Sequence, residues 1–303
     1  MTSTAFGAIK TAKVNGTTLA YREAGDGEPV VFVHGAISDL RTWEQQLGAV
    51  GSSYRAITYS RRFSRPNERS DPGGSDLSLL AVEDLVAFLR EIGAAPAHLV
   101  GNSYGAYVSL VTAIRYPELV KTVVAEEPPV LRLFVSVPPR PTELLRLLVT
   151  RLRTAIGIVQ FGAGTMAPVV KLIKRGEESK AARVFTRGVL GKRAFDRLSQ
   201  ERWDQIHENL FEMKFVERDV ELFPPIDDDG VRGIRAPVLL VVGEQSPLHL
   251  RVLVDRLEEL LPDMERVEIP DASHLMHEDN AAVVNEVILG FLGRHRDRPM
   301  PPP

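Results

Sequence analysis

His98 to Leu110, HLVGNSYGAYVSL, is the stretch on which the reading of the chain turns. A short apolar run ends at Gly101-Asn102-Ser103-Tyr104-Gly105, and an apolar segment with helical spacing follows. Strand, sharp turn and helix in that order put Ser103 at the corner. A G-x-S-x-G turn needs this arrangement, because the serine is strained and a glycine two positions to either side lets strand and helix approach without Cβ clashes. The bare pattern arises by chance in about one chain of this length in ten, so the flanking elements decide its meaning.

Outward from the turn, β and α signals alternate. Pro29 to Val33 is an almost unbroken apolar run that stops at His34-Gly35, as suits a strand covered on both faces. Thr17 to Glu23 and Tyr54 to Tyr59 read as strands, and Leu77 to Ile92 reads as a helix with an apolar stripe through Leu77, Leu80, Ala81, Leu85, Phe88 and Leu89. Val120 to Ala125 is another β-branched run, ending at Glu126-Glu127-Pro128-Pro129. From Val130 to about Val231 the alternation is lost, and apolar, cationic helical segments take its place, the last a charged helix from Arg197 to about Glu217. Alternation resumes with the strand Pro237 to Val242, a helix from Leu248 to Leu261, the strand Arg266 to Ile269 and a helix from Ala281 to about Arg294. This pattern predicts an α/β fold, a mostly parallel sheet with helices on both faces, formed by residues 1–129 and 232–294, with 130–231 inserted as a helical cap and 295–303 a disordered tail. Ligands of such sheets bind beyond the carboxyl ends of the strands. His34, Ser103, Glu127 and His274 all fall just after expected strands.

The 303 residues carry a formal net charge of -3, so no basic excess favours a nucleic-acid partner, and a small-molecule ligand is expected. There are no cysteines, which excludes thiol nucleophiles and cysteine-bound metal. The histidines at 34, 98, 207, 249, 274, 277 and 295 form no ligand-spaced cluster, so no metal is expected. The first residues lack the apolar core of a signal peptide, and a cytoplasmic location is the expectation. Thr154 to Val170, the longest uncharged stretch, is shorter than the ~20 apolar residues of a spanning helix and is interrupted by three glycines, Gln160 and Pro168.

Three landmarks, His34-Gly35, GNSYG and Asp271-Ala272-Ser273-His274, stand in the order and spacing of the α/β-hydrolase superfamily, which this chain resembles over nearly its whole length apart from the insertion. A neutral serine hydroxyl needs a base to take its proton during attack, and an imidazole titrating near about 6.5 is suited to it. The resemblance implies Ser103 as nucleophile and His274, rather than the structural His277, as that base. It also implies an oxyanion hole formed by the backbone N–H groups of Ala36 and Tyr104, and no cofactor. The third member departs from the common pattern. Ser246 stands after the seventh strand where an aspartate is usual, whereas AEEPP after the sixth strand matches relatives, such as haloalkane dehalogenases and zearalenone-type lactonases, that place the acid there. Glu127 is therefore the expected acid, with Glu126 and Glu244 as alternatives; a plain reading of Glu127 is a helix cap. Dehalogenases and epoxide hydrolases use an aspartate where this chain has Ser103, and the cap has no tyrosine of the kind the latter use.

His34 and Trp43 in the core, with Phe134 and Trp203 in the cap, are expected at the substrate, and other cap residues such as Phe161, Met166 and Phe185 could line an apolar pocket. The cluster Arg61-Arg62-Phe63-Ser64-Arg65 reads either as a receiver for an anionic group or as a loop tied to nearby carboxylates. The basic first half of the cap can touch anionic membranes or be a solvated outer face; the second is the expectation, so membrane contact is not. The expected activity is hydrolysis of a carboxylic ester or lactone with an apolar or aromatic substrate. The alternatives are a carbon-carbon hydrolase of the meta-cleavage type, a perhydrolase or cofactor-free oxygenase, and a non-catalytic binding protein on the same fold.

Overall fold

The computed structural model describes residues 7–71, 73, 74, 76–137, 139–217 and 221–296. Its eight strands are β1 (Lys10–Val14), β2 (Thr17–Ala24), β3 (Pro29–Val33), β4 (Arg55–Tyr59), β5 (Ala97–Asn102), β6 (Val120–Glu126), β7 (Val238–Gly243) and β8 (Met264–Ile269). They form one sheet in the order β1-β2-β4-β3-β5-β6-β7-β8, antiparallel at β1–β2 and β2–β4 and parallel from β4 to β8.

The unbroken apolar runs follow from burial on both faces. Val31 and Val33 of β3 join one core with Leu240 and Val242 of β7, while Val30 and Phe32 join a second with Leu239 and Val241. Helices α1 (Glu44–Val50), α12 (Met276–Asp279) and α13 (Ala281–His295) cover the second face through Leu47, Val50, Met276, Ile288 and Phe291. Helices α2 (Leu80–Glu91), α3 (Tyr104–Arg115) and α11 (Leu248–Leu260) cover the first through Leu85, Phe88, Val108, Leu253 and Leu257. The edge strand β1 escapes the sequence reading because its exposed positions are polar and only Ala12 and Val14 are buried. It pairs Lys10–Val14 with Tyr21–Thr17.

Between β6 and β7 the chain runs through α4 (Pro141–Thr150), α5 (Leu152–Phe161), α6 (Ala167–Ile173), α7 (Glu178–Phe195), α8 (Gln200–Glu208), α9 (Lys214–Glu217) and α10 (Asp228–Arg232), the last of which precedes β7 directly. The single helix expected over 197–217 is broken. Asn209 leaves helical geometry after α8 and turns its side-chain amide to Asp39 at 2.7 Å, and a short 3-10 turn, Leu210–Met213, leads into α9. The helical segment seats on the sheet domain through small clusters that mix the two parts: Ile37 with Val169, Ile173 and Met213, and Leu250 and Leu275 with Val189 and Leu190. Of the tail expected at 295–303, His295 is the last residue of α13 and Arg296 follows it as the C-cap; 297–303 lie outside the described residues.

Candidate active site

Ser103 sits between β5 and α3 with φ 52° and ψ -120°, a conformation costly for a residue with a Cβ. The glycines beside it make it possible. A Cβ on Gly105 would lie 2.0 Å from the Val33 carbonyl oxygen, and one on Gly101 would lie 2.5 Å from the Ala106 nitrogen. The Ser103 N–H donates to the Glu126 carbonyl at 2.7 Å, which fixes the turn to the end of β6. Among the described residues five non-glycine residues have positive φ, and four of them, Ile37, Ser103, Glu127 and Asp271, follow β3, β5, β6 and β8. Backbone strain is thus concentrated at one end of the sheet.

At that end the structure brings His274 and Glu127 together: Nδ1 lies 2.6 Å from Oε2, both side chains buried. The other carboxylate oxygen accepts the Gly243 N–H at 3.0 Å. Glu127 is therefore not spent on capping the 3-10 turn Leu131–Leu133. Gly243 has to be glycine for this closure, since a Cβ there would meet the Ser273 carbonyl oxygen at 2.4 Å. Glu244 instead accepts the Asp271 N–H at 2.8 Å, and Glu126 pairs with His277 at 2.7 Å. Asn102, next to Ser103, ties the two pairs together, donating to Glu126 Oε2 at 3.2 Å and to the His274 carbonyl at 2.9 Å. Nε2 of His274 has no partner, and no hydrogen bond joins His274 to the Ser103 hydroxyl, among the described residues. Such bonds are often long before substrate binds.

Ser103, Ala36 and Tyr104 line a cavity of about 620 Å³ between the sheet and the helical segment. Outside any helix or strand, the Ala36 N–H finds no acceptor among the described residues and remains free to donate. The loop that carries it is rigidly held. Arg61 N–H donates to His34 Nε2 at 2.9 Å, which leaves the ring proton on Nδ1 facing the Gly35 carbonyl at 2.8 Å. The Arg61 guanidinium donates to the carbonyls of His34 at 3.1 Å and Gly35 at 2.9 Å. It also forms a two-pronged ion pair with Glu212, at 2.6 and 3.0 Å, and Glu212 accepts the Ile37 N–H at 3.4 Å. Burial and the Arg61 charge hold His34 neutral, its pKa pushed down to about 3.

These contacts correct the four expected substrate contacts, none of which lines the cavity. His34 is locked in the Arg61 network, and Trp43 is fully buried with its ring stacked on His277 at 4.1 Å. Phe134 packs beside Val135 and Leu147 in a small cluster of the helical segment. Trp203 packs edge-on against Phe195, with the Arg183 guanidinium 4.7 Å from its ring. Phe161, Met166 and Phe185 do line the cavity. Of the two readings of the arginine cluster, the contacts favour the tied loop, Arg61 to Glu212 and Arg62 to Asp84 at 2.7 Å.

One lining residue escapes the sequence reading. His249, on the first turn of α11, stacks on Phe161 with ring centroids 4.1 Å apart, and its buried Nε2 has no hydrogen-bond partner. Burial and the neighbouring His274 push its pKa down to about 3, so it is a neutral ring. Only its position after β7 hinted at it. The charged side chains around the cavity cancel in pairs, Arg61 with Glu212, Arg62 with Asp84 and Arg132 with Glu221.

Known proteins agree with this architecture. Residues 30–287 match the model of the alpha/beta hydrolase family. The 2-(acetamidomethylene)succinate hydrolase of Mesorhizobium japonicum is 23% identical over 283 residues, 91% of each chain. Among solved structures, the carboxylesterase CesB of Bacillus subtilis superposes with a TM-score of 0.72 at 18% identity, covering 94% of this chain and 91% of its own. The enol-lactonase of Burkholderia xenovorans LB400 does so with 0.69 at 17% identity, covering 94% and 100%. At such identities the superpositions speak for the fold alone. With the family model matching from β3 to β8, over the strained serine turn and the residues that follow β6 and β8, this chain belongs to the alpha/beta hydrolase family.

Proposed function

We propose that the protein hydrolyses a neutral, largely apolar carboxylic ester or lactone through an acyl-enzyme. Ser103 Oγ attacks the carbonyl carbon as His274 Nε2 takes its proton. The carbonyl oxygen, now an oxyanion, is held by the N–H groups of Ala36 and Tyr104. Glu127 keeps His274 in the tautomer with Nδ1 protonated and stabilises the imidazolium that forms. The imidazolium gives its proton to the departing alkoxide, and the alcohol leaves; in a lactone it stays attached to the acyl chain. A water molecule, deprotonated by His274, then attacks the acyl carbon, and Ser103 leaves with the proton returned to it.

The observation that carries the substrate class is the cavity wall. Apolar side chains from the sheet domain and the helical segment make up most of it, and its charges are paired with one another. A charged substrate beside the two buried pairs, Arg61–Glu212 and Arg62–Asp84, would have to break one of them, at a cost of about 3–5 kcal/mol for a typical case. The carboxylesterase and the enol-lactonase named above are examples of ester and lactone chemistry on the same fold.

The experiment is a comparison of kcat/KM across p-nitrophenyl esters of increasing acyl length, neutral lactones, and dicarboxylic monoesters of matched size. The proposal expects kcat/KM to rise with acyl length and to drop at least tenfold when a terminal carboxylate is added. A preference for the carboxylate, or turnover of vinylogous diketones with no ester or lactone turned over, would overturn it.

A further inference from the structure

The outer face of the helical segment exposes aliphatic side chains among its basic ones. On α4 the exposed aliphatic residues are Leu145, Leu148 and Val149, and on α5 they are Leu152, Ile156 and Val159, each set at the i, i+3/i+4 spacing of one helical stripe. Val149 is 82% exposed, Leu145 63% and Leu152 57%. Two adjoining helices that each turn a stripe of large aliphatic side chains to water make a patch of the kind that marks an interaction surface.

Its charge selects the partner. Between 137 and 176 there are seven basic residues, Arg140, Arg146, Arg151, Arg153, Lys171, Lys174 and Arg175, against Glu143 alone, in a chain whose net charge is -3. Glu143 is taken up at the start of α4, accepting the N–H groups of Ser136 and Arg140, and Arg151 is paired with Glu259. Arg146 and Arg153, both exposed and interleaved with the aliphatic stripes, have no acidic partner among the described residues.

Packing sets the geometry. The helical run Leu152–Ile173, 22 residues with an 18-residue window of mean hydropathy 1.5, is long and apolar enough by composition to cross a membrane. Its inner side is committed to the fold, however. Thr154, Ala155, Gly157 and Ile158 are buried, and a Cβ on Gly157 would come within 3.1 Å of the His249 Cα on α11. A helix seated so closely on the sheet domain can present its outer stripe to a membrane but not leave to span it. Val137 and Pro139, also exposed, line the cavity just ahead of α4 in the chain.

We infer that the outer stripes of α4 and α5 dock this protein on an anionic lipid bilayer, with the aliphatic side chains in the headgroup boundary and Arg146 and Arg153 on the lipid phosphates. The inference does not depend on the proposed reaction, and its test involves no turnover.

Flotation of the full chain with vesicles of phosphatidylcholine alone, and of phosphatidylcholine mixed equally with phosphatidylglycerol, tests it. The protein is expected to float with the mixed vesicles and to be released as salt is raised. R146Q/R153Q is expected to lower the partition coefficient about 25-fold, at about fivefold per arginine, and V149D/L152D to abolish flotation. All four positions are on the exposed face, and circular dichroism verifies that each variant is folded. Equal binding to both vesicle types, no binding to either, or flotation unchanged in R146Q/R153Q would overturn the inference. So would a dimer in sedimentation velocity that V149D/L152D dissociates while wild type ignores vesicles, since a second copy would then cover the face.

Discussion

Two histidine–glutamate pairs stand side by side at the end of the sheet, built from neighbouring residues and differently connected. Glu126 and Glu127 are adjacent, His274 and His277 are three residues apart, and the Nδ1-to-carboxylate distances are 2.7 Å for His277–Glu126 and 2.6 Å for His274–Glu127. Both pairs are buried. The difference is what each imidazole does with its far side. Nε2 of His277 meets Thr42 Oγ1 at 3.0 Å, its ring is covered by Trp43, and its carbonyl accepts from Gln46. His274 has no partner at Nε2 among the described residues. An imidazole with both nitrogens occupied, as in His277, is suited to a structural strut; the proposed reaction uses the one whose Nε2 is free, His274. The peptide geometry enforces the division, because consecutive strand residues point to opposite faces and Glu127, at φ 45°, leaves the strand just where it would otherwise continue.

The largest effect is expected at Glu127. Glu127→Gln should lower kcat by about 10³- to 10⁴-fold, as loss of the orienting carboxylate does in a serine triad, with the melting temperature within a few degrees of wild type. An equal loss in Glu244→Gln but not in Glu127→Gln would reassign the acid. His277→Ala should show the reverse balance. It strands the Glu126 carboxylate, whose Oε1 already lacks a partner, at a cost of about 3–5 kcal/mol. That corresponds to a fall in melting temperature of about 10 °C, while kcat per folded molecule changes less than tenfold. If kcat collapsed in His277→Ala with stability intact, the division of labour would be wrong.

Asn102 is the joint between the two pairs, and Asn102→Ala should show both effects in reduced form. Two buried hydrogen bonds are lost, for about 1–3 kcal/mol together, and kcat falls about tenfold because the His274 carbonyl loses its anchor; stability and rate are read on the same sample. The smallest effect is on pH. Burial holds His34 and His249 at about 3 and His98 at about 4. The unfolded chain takes up these protons near pH about 6.5, so below that the unfolded state binds more protons than the folded one and stability falls as pH drops toward 4. The melting temperature should therefore decline steadily from pH 6.5 to 4.5, and His98→Asn should make the slope shallower. A profile flat to pH 4.5 would contradict the buried neutral state of these rings.

Where the sequence was legible, local chemistry carried the signal. Glycines flanking Ser103 and apolar runs that end at His34, Ser103 and Glu126-Glu127 have local causes, and they led to the parallel sheet. The side chain that contacts His274 was reached through the family resemblance, because Ser246 stands where relatives have an aspartate. What the sequence did not disclose depends on direction and distance. Trp43 and Phe134 have the composition of a pocket wall, but composition does not tell an aromatic facing a cavity from one facing the core. Arg61 meets Glu212 across 151 residues, a contact that exists only once the helical segment has folded back over the sheet. The exposed stripes of α4 and α5 looked amphipathic in sequence, yet their apolar side proved to be partly outside.

The most direct test of the division between the two pairs is the rate at which a fluorophosphonate probe labels the protein, with the adduct located by peptide mass. Wild type and His277→Asn, the latter after correction for folded fraction, should carry the adduct on Ser103 at similar rates, whereas His274→Ala should carry none. An adduct on another residue, no adduct on folded wild type, or undiminished labelling in His274→Ala would contradict the account.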